Sequence, residues 1–505
     1  MGIPEIKFGN IIYKSHEGQG TYVHSYEKVY GCEFESYVSE IKDAGYSVVK
    51  SYKLANNSFY ILRKGNDAVF AAYYPGVREM RIVEEPNTNW FDFEDKGGIP
   101  TCDSLLTQID LEDFGLSYVI RLCDGRFIIF DGGWEFEPDA DKLINVMTQQ
   151  SNGEKPVIAA WIMTHPHLDH YRCFFEFIRK YADDAIIECF MYNFPDANEK
   201  ELETITALNT DDEILHLPRF YEAIEKVGAP VYRVHTGQVI DIANAHMEVL
   251  ASPDDTFTNP LIDFNKTSLV IKMTIEGQPI LWTGDSNFIE SKLGQRWGAY
   301  LKSDIFQIPH HGFNGGRIME FDLIDPVTVF AAVEGVDCFE TIDYYYDFNY
   351  HLMMEMRVEE FYTGSCGNIT LKLPHTPCPN AKKMLLDKIE YHRKSLGLKT
   401  WLFEGVTTED CTFTFINTAG KATVYANLIF EDSSKNVFKI KMDVPGGCVC
   451  HKNILDPKDA DGDALFFNRA SLKIKGVEPG SRFAVKFRSS LPIVVKWKNA
   501  PDYCC

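Results

Sequence analysis

The chain has 505 residues, which at about 150 residues per domain predicts roughly three domains and a large buried core. Its composition, 45% hydrophobic, 13% aromatic and 24% charged, excludes a disordered chain, a collagen-like repeat and a small disulfide scaffold. The 50 basic and 73 acidic residues give a formal net charge of −23, so the surface as a whole should repel nucleic acid and anionic membranes. Any nucleic-acid site would have to be local.

Cysteine usage and the lack of long apolar runs bear on the compartment. The 13 cysteines are an odd number without an even framework of short spacings, which predicts a reducing compartment and free thiols. Cys448 and Cys450, and Cys504 and Cys505, match neither a zinc ribbon nor a redox pair. No signal-peptide or membrane-length run is seen, so we expect a cytoplasmic, unanchored protein.

Residues 1–100 predict a small α+β domain that ends in a linker. Apolar residues between positions 33 and 46 have helical spacing, and Gly45 is a stop signal. Residues 87–100 are rich in Asn, Asp and Gly and predict the linker. Between these segments, alternating runs predict four strands: Ser47–Leu54, Ser58–Arg63, Ala68–Tyr74 and Arg78–Val83. The domain carries no chemical motif, and an interaction or lid role stays open.

The rest of the chain divides into three predicted parts. Residues 101–378 alternate apolar strands such as Phe127–Phe130 and Val157–Met163 with helical segments such as Phe174–Tyr181 and Pro218–Val227, which indicates an α/β domain. Residues 379–400 predict a polar helical connector. Residues 401–505 return to short alternating strands, which predicts a β-sandwich-like module.

The strongest chemical signal directly follows the strand-like run Val157–Met163. It reads Thr164-His165-Pro166-His167-Leu168-Asp169-His170, with four potential metal ligands within six residues. Side chains two apart on an extended segment point the same way, so His165 and His167 can converge on one ion. Asp169 and His170, at the start of a helix, can face a second ion. Imidazoles with a carboxylate form a typical zinc ligand set, which also suits manganese or iron.

Two later segments can complete this site, because each ends an apolar strand with a ligand-type residue. The run from Ile280 ends in Gly284-Asp285, where a carboxylate on a strand tip could bridge two metals. The run from Ile305 ends in Pro309-His310-His311-Gly312. Either segment alone is more often a turn. Together, downstream of the histidine cluster, they favour a metal site.

These segments resemble the metallo-β-lactamase-fold hydrolases, whose hallmark H-x-H-x-D-H is His165, His167, Asp169 and His170 here, preceded by an Asp-Gly-Gly at Asp131. The nearer resemblance is to the soluble hydrolase domain of bacterial competence (DNA-uptake) proteins. It rests on the segments Asn265–Val270, Pro309–Gly312, Phe361–Thr363 and Gly367–Thr370, and it covers residues 104 to about 374.

The resemblance implies an αββα sandwich, flanked here by the small α+β domain and the β-sandwich-like module. It implies that Asp285 bridges the metals, that His311 or else His310 is the late ligand of the second metal, and that Asp131 orients ligands without binding metal. The implied metal ligands are therefore His165, His167, Asp169, His170, Asp285 and His311, with His310 as the alternative.

Two departures from the superfamily pattern matter. Most of its hydrolases place a third histidine on the first metal, and the candidates here are His235 and His246, or none. A lone histidine is more often structural. The membrane-channel part of the competence proteins is absent from this sequence, so DNA import is not implied.

The leading hypothesis is metal-dependent hydrolysis of a small phosphoester, with one or two zinc ions and manganese or iron as alternatives. Paired metals lower the pKa of a bound water and stabilise charge on the attacked and leaving oxygens. Asp169 would orient that water, and His310, where it is not a ligand, would stabilise phosphoryl oxygens or protonate the leaving group. His351 falls where relatives carry a substrate-side histidine.

Two other hypotheses stay open. The same chemistry can attack the carbonyl of a lactone, thioester or amide, since fold and metal do not decide the substrate. Alternatively, the missing third histidine marks a metal-poor domain that binds rather than catalyses. We expect no membrane partner, and the sequence leaves the oligomeric state open.

The C-terminal module carries the strongest local positive charge. Basic residues alternate along three strand-like runs and predict one basic sheet face, either a solvated surface or a platform for polyanions such as nucleic acid. They are Lys473, Lys475, Arg482, Lys486, Arg488, Lys496 and Lys498. The intervening residues predict the core of a sandwich: Phe483, Val485, Phe487, Val495 and Trp497.

Overall fold

The fold is taken from a computed structural model. The structure describes residues 2–16, 20–113, 115–194, 211–256, 264–289, 291–312, 318–332, 357–364, 367–378, 401–408, 410–430, 438–455, 460–462 and 480–498. These residues form two compact units, one containing the described residues up to 378 and the other those from 401 onward. Each unit is described by itself.

The first unit begins with an open antiparallel sheet and one helix. The helix has its predicted apolar face buried, and Gly45 follows it with a φ of 95°, a conformation that ends helices. All four predicted strands are present, in the sheet order β1-β2-β6-β5-β4-β3. The elements are β1 (Asn10–His16), β2 (Tyr22–Glu27), α1 (Gly31–Asp43), β3 (Ser47–Leu54), β4 (Asn57–Lys64), β5 (Asp67–Tyr74) and β6 (Glu79–Glu85).

Strands and helices alternate through the next part of the chain, as predicted from residue 101 onward. In chain order they are β7 (Leu105–Gln108), β8 (Ser117–Arg121), β9 (Phe127–Asp131), α2 (Glu137–Gln150), β10 (Val157–Ile162), α3 (Leu168–Tyr171), α4 (Cys173–Tyr181), β11 (Ile186–Ile187), β12 (Phe190–Tyr192), α5 (Asp211–Val227), β13 (Val231–Arg233), β14 (Val239–Ile242), β15 (Ala245–Ala251), β16 (Val270–Ile275), β17 (Gln278–Trp282), α6 (Leu293–Trp297), β18 (Ile305–Gln307), α7 (Ile318–Ile324), β19 (Thr328–Ala331), β20 (Glu360–Thr363) and β21 (Ile369–Lys372).

These strands form two sheets packed face to face. The first has the order β13-β12-β10-β9-β8-β7-β21, with β11 beside β10, and the second has the order β14-β15-β16-β17-β18-β19-β20. Strands β9, β10, β12 and β13 are parallel, and so are β17, β18, β19 and β20. Because parallel strands end at the same edge, the segments that follow β9 and β10 share one edge, and those that follow β17 and β18 share another.

Alternation along the strands produces the layers. Phe130 and Trp282, on opposing sheets, stack at 4.5 Å in the core between the sheets. Trp161 points to the other side of the first sheet and packs on Phe174 of α4. On the outer side of the second sheet, Phe306 packs on Phe321 of α7. The layer order is helix, sheet, sheet, helix, which confirms the predicted αββα sandwich.

The N-terminal sheet is fixed to this sandwich by buried ion pairs, which we call the seam. Asp255 accepts hydrogen bonds of 2.6 Å from both Arg81 and Arg296, and Arg296 also reaches Glu79 at 2.9 Å. Arg81 donates a further bond to the carbonyl of Thr236. Paired in this way, the charges avoid the cost of an isolated buried ion. The predicted linker is also held, since its residue Asp95 pairs with Arg126 at 2.7 Å.

The second unit is the predicted β-sandwich. Its sheets have the orders β22-β28-β24-β25-β27 and β26-β23-β29, and the predicted core residues are all buried between them. The strands are β22 (Trp401–Val406), β23 (Thr412–Asn417), β24 (Ala422–Phe430), β25 (Phe438–Val444), β26 (Cys448–Asn453), β27 (Ala460–Gly462), β28 (Arg482–Ser489) and β29 (Val494–Trp497).

The prediction of a single basic sheet is wrong. Arg482, Lys486 and Arg488 lie on β28 in one sheet, whereas Lys496 lies on β29 in the other. Consecutive strands here cross between sheets, so even spacing along the sequence does not produce one continuous face. Lys498 pairs with Asp410. Lys473 and Lys475 lie outside the described residues.

Among the described residues, no helix is long and apolar enough to cross a membrane. Cys448 and Cys450 are free thiols.

Candidate metal centre

The histidine motif forms the connection between β10 and α3. The carbonyl of Thr164 accepts a hydrogen bond from the Leu269 amide, which ties the end of the first sheet to the entry of the second. His165 and His170 are fully buried, and Asp169 is 8% exposed. His167 is partly exposed, with its ring 4.7 Å from that of His165. The motif is therefore mostly enclosed, with an opening on the side of His167.

A first group of four donors lies where the two sheets meet. Asp169, His170, Asp285 and His311 offer ligand atoms that all lie within 4.8 Å of one another. Nε2 of His311 is 2.9 Å from Oδ2 of Asp169 and 3.5 Å from Oδ2 of Asp285. Nε2 of His170 is 3.2 Å from Oδ1 of Asp285. We call this set the four-donor group.

A second group shares one carboxylate with the first. His165, His167 and Asp285 also offer ligand atoms within 4.8 Å of one another. Nε2 of His165 lies 3.8 Å from Oδ2 of Asp285. We call this set the three-donor group. Asp285 belongs to both groups, which is the arrangement that a bridging carboxylate requires.

The atoms at the junction fit divalent cations. Nε2 of His165, Nε2 of His170 and Oδ1 of Asp285 are buried without a hydrogen-bond partner in the described structure. A buried polar atom left without a partner costs about 1–3 kcal/mol, so three such atoms at one point fit a site for a cation. Imidazole nitrogens and carboxylate oxygens are the ligands that zinc takes in proteins.

Charge within the cluster shifts its pKa values in opposite directions. Burial and the neighbouring imidazoles hold the pKa of His165 well below its usual value, which keeps the ring neutral and able to ligate. Burial would also lower the pKa of His170, but the carboxylates around it raise that pKa well above the usual value. Burial would raise the pKa of Asp285, whereas His170 and His311 lower it strongly. The carboxylate of Asp285 is therefore ionised.

Asp131 lies behind the centre and is hydrogen-bonded to two residues of the histidine motif. Its carboxylate accepts hydrogen bonds from the amide and hydroxyl of Thr164, both at 2.7 Å, and lies 2.8 Å from Nδ1 of His170. Nδ1 of His311 lies 3.1 Å from the carbonyl of Ala332. With Nδ1 held in each case, both rings present Nε2 to the four-donor group.

Of the two adjacent histidines, the structure brings His311 into the four-donor group and leaves His310 beside it. The side chain of His310 is 33% exposed, and its Nε2 is 4.0 Å from Oδ2 of Asp285. Its backbone has a φ of 52° and that of His311 a φ of 53°. Left-handed conformations are costly for residues with a Cβ and persist where the surroundings enforce them, often at functional sites.

The structure places neither candidate for the third histidine in the centre. Nδ1 of His235 is 2.9 Å from Asp254, and its Nε2 is 3.2 Å from Glu85 of the N-terminal sheet. Burial alone would lower the pKa of His235, but these two carboxylates raise it to about 9. The protonated ring of His235 thus adds a further buried ion pair to the seam, since it also joins the sandwich to the N-terminal sheet. His246 is exposed on the β14–β15 hairpin, with its Nδ1 2.6 Å from Oδ1 of Asp241. His351 lies outside the described residues.

Sequence reasoning missed two polar residues that hold the strand ends. The hydroxyl of Ser268 accepts a hydrogen bond from the Asp285 amide at 3.0 Å. The buried side chain of Gln307 bonds to the backbone of Thr283 and Gly284. Gln307 interrupts an apolar strand, and a polar residue in such a run was the available signal.

Comparisons with known proteins find similar solved structures at low identity. No protein-family model and no curated protein matches the chain. Among solved structures, it is similar to the metallo-β-lactamase fold protein YhfI from Bacillus subtilis, with 11% identity and a TM-score of 0.33 over 54% of this chain and 100% of that chain. A candidate metal-dependent hydrolase from Parabacteroides distasonis has 10% identity and a TM-score of 0.28, over 63% of this chain and 99% of that one.

A third solved structure is similar to a smaller part of the chain. The Anabaena sensory rhodopsin transducer has 19% identity and a TM-score of 0.15 over 20% of this chain and 94% of that chain. Similarities with such low TM-scores do not indicate an activity for this chain. The fold description rests on the sheet order and the layers, and the site description rests on the two donor groups.

Proposed function

We propose that this chain is a metal-dependent hydrolase of the metallo-β-lactamase superfamily that acts on a small phosphoester. The observation that carries the proposal is the pair of donor groups sharing Asp285. The narrower kinship with the hydrolase domains of competence proteins is part of the proposal. It is supported by the segment Asn265–Val270, whose Ser268 and Leu269 tie Asp285 to Thr164.

The residues that would hold the metals are those of the two groups. His170, His311, Asp169 and Asp285 would hold one ion, and His165 and His167 with Asp285 would hold the other. Zinc suits this ligand set, and manganese or iron are the alternatives. Divalent ions at these positions supply an acidified water and neutralise charge on the attacked and leaving oxygens.

Three side chains would orient the water, protonate the leaving group and hold a metal ligand in place. Asp169, at the edge of the four-donor group, would accept a hydrogen bond from the attacking water and orient it. His310, which reaches the surface beside Asp285, would donate a proton to the leaving oxygen or contact phosphoryl oxygens. Asp131 would keep Nε2 of His170 aimed at the ion by holding its Nδ1 proton.

Two neighbouring donor groups support the choice of a phosphoester as the substrate. Paired cations suit an in-line displacement at phosphorus, in which charge develops on two oxygens at once. The formal charge of −23 favours a small substrate drawn to the metals over a long polyanion that must cover the surface. A cytoplasmic location fits this substrate class and stays a prediction.

The test is hydrolysis of bis-p-nitrophenyl phosphate and a short oligonucleotide by the metal-replete protein, with a lactone panel run on the same preparation. We expect phosphodiester turnover that is abolished by chelation and by Asp169→Ala, but retained by Asp241→Ala, which removes a surface aspartate that is 65% exposed. Activity that survives both chelation and Asp169→Ala contradicts a metal-dependent hydrolase.

The other outcomes reassign the function. Turnover of lactones without turnover of phosphodiesters keeps the metal centre and replaces the substrate class. Less than one metal per chain after purification with metals supplied favours a binding protein instead.

A further inference from the structure

Gln307, the last residue of β18, is a buried amide that links two strand ends. It is 1% exposed, and its amide group is fully hydrogen-bonded. Its Oε1 accepts a bond of 2.7 Å from the Thr283 amide. Its Nε2 donates to the carbonyls of Gly284 at 3.0 Å and Ile308 at 2.6 Å. The hydroxyl of Thr283 also donates to the backbone carbonyl of Gln307 at 2.7 Å. We call this set of bonds the clamp.

The clamp begins where the backbone ladder ends. Strands β17 and β18 pair through Ile280 with Ile305 and Leu281 with Phe306, and no later pair is part of their register. Beyond those pairs the ends of the two strands are joined by the Gln307 side chain. The carbonyl of Gly284 receives a second bond, of 3.1 Å, from the His310 amide. The amide side chain therefore continues the sheet over the last residues before the site.

Those last residues deliver two ligands of the four-donor group. Asp285 follows the clamped Thr283 and Gly284 directly, and His311 lies four residues after Gln307. Nε2 of His311 is 3.5 Å from Oδ2 of Asp285. The clamp also borders the left-handed backbone at His310 and His311, which needs its surroundings to enforce it. The distance between the two ligands thus depends on how the two strand ends are joined.

We propose that Gln307 is a positioning residue for the four-donor group, setting the separation of Asp285 and His311 and thereby the affinity for a divalent cation. This inference rests on the proposed function, because it takes the four-donor group as a metal site. Residues that orient ligands typically change metal affinity by about 10- to 100-fold when they are removed.

A second glutamine provides a matched control. Gln278 is the first residue of β17, at the end of that strand away from the clamp, and is 9% exposed. Its Nε2 donates to the carbonyl of His375 at 3.0 Å, and its Oε1 accepts from the His375 amide at 2.7 Å. It thus joins two segments by the same kind of bonds. If the substitutions acted only through a general loss of stability, both would change zinc affinity alike.

The experiment compares Gln307→Met with Gln278→Met in the full chain. The zinc dissociation constant is measured by competition with a chromophoric chelator, cobalt(II) absorption reports ligand geometry, and urea unfolding of the metal-free protein reports stability. We expect both variants to unfold at lower urea. Only Gln307→Met should weaken zinc binding, by about tenfold or more, and change the cobalt spectrum.

Four results would overturn the proposal. Wild-type zinc affinity in Gln307→Met refutes the positioning role of Gln307 and leaves the proposed function standing. An equal loss of affinity in Gln278→Met does the same. A wild-type protein that binds no divalent ion refutes the proposed function and the clamp with it. Should Gln307→Met not fold, Thr283→Val removes the hydroxyl bond and leaves the glutamine in place. It should weaken zinc binding by a smaller factor, and unchanged zinc affinity in Thr283→Val refutes the clamp.

Discussion

Replacing His235 by glutamine should abolish a pH dependence of stability that the seam creates. His235 lies between Asp254 and Glu85, with the ring of Phe70 at 4.6 Å, and its pKa is raised to about 9. An unfolded histidine has a pKa of about 6.5. Because the folded pKa is the higher one, the contribution of this group is fully present below pH 6.5 and is lost as the pH rises through 9.

The size of the effect follows from the shift. A difference of about 2.5 pKa units, at 1.36 kcal/mol per unit, corresponds to about 3 kcal/mol of unfolding free energy. Most of this is lost between pH 7 and pH 9.5. The neighbouring Asp254 has its pKa held well below the usual value, since His235 outweighs the effect of burial. Its own contribution disappears only in acid, below about pH 4, so the two windows are separate.

Urea unfolding at pH 6 to 9.5, followed by tryptophan fluorescence, measures the effect. The two compact units predict two transitions, and the one that contains the seam should move with pH in the wild type. In His235→Gln the midpoint of that transition should lie at lower urea than in the wild type at pH 6–7, and it should change little between pH 7 and pH 9.5. His246→Gln, at an exposed surface histidine, is the control and should behave as the wild type. A wild-type transition as stable at pH 9.5 as at pH 7 would refute the reasoning.

Three further substitutions test other parts of the account. Asp131→Asn keeps the shape of a side chain that contacts His170 but weakens its hold on Nδ1, so zinc affinity in a chelator competition should fall about 10- to 100-fold. Trp282→Ala, in the core between the two sheets, should cost about 3–5 kcal/mol in urea unfolding. Arg81→Met leaves Asp255 with one buried cation fewer and should cost about 3 kcal/mol in the same assay, without changing metal content.

Local pattern was enough to predict most of the site. His165, His167, Asp169 and His170 lie within six residues, and the strand before them fixes their placement. Asp285 also follows a strand, so ordinary strand recognition brings it to the correct edge. The resemblance gave His311 as the ligand with His310 as the alternative. The structure adds the local cause, since two adjacent left-handed residues bring the His311 ring into the four-donor group.

Other features depend on contacts between distant parts of the chain. The role of His235 is decided by Glu85, which is 150 residues away and in the N-terminal sheet. The strand β1 was not predicted, since it leaves Ile11 and Ile12 exposed and is specified by pairing with β2. The basic set was predicted as one face because spacing along a strand does not show to which sheet the next strand returns.

The central claim is that the two groups sharing Asp285 are the metal centre. Anomalous diffraction at the zinc edge, from crystals of the metal-replete protein, tests it most directly. We expect a peak within bonding distance of His170, His311, Asp169 and Asp285, and a second peak, of equal or lower occupancy, beside His165 and His167. Crystals with no peak at Asp285, or with zinc bound by His235 instead, would contradict it.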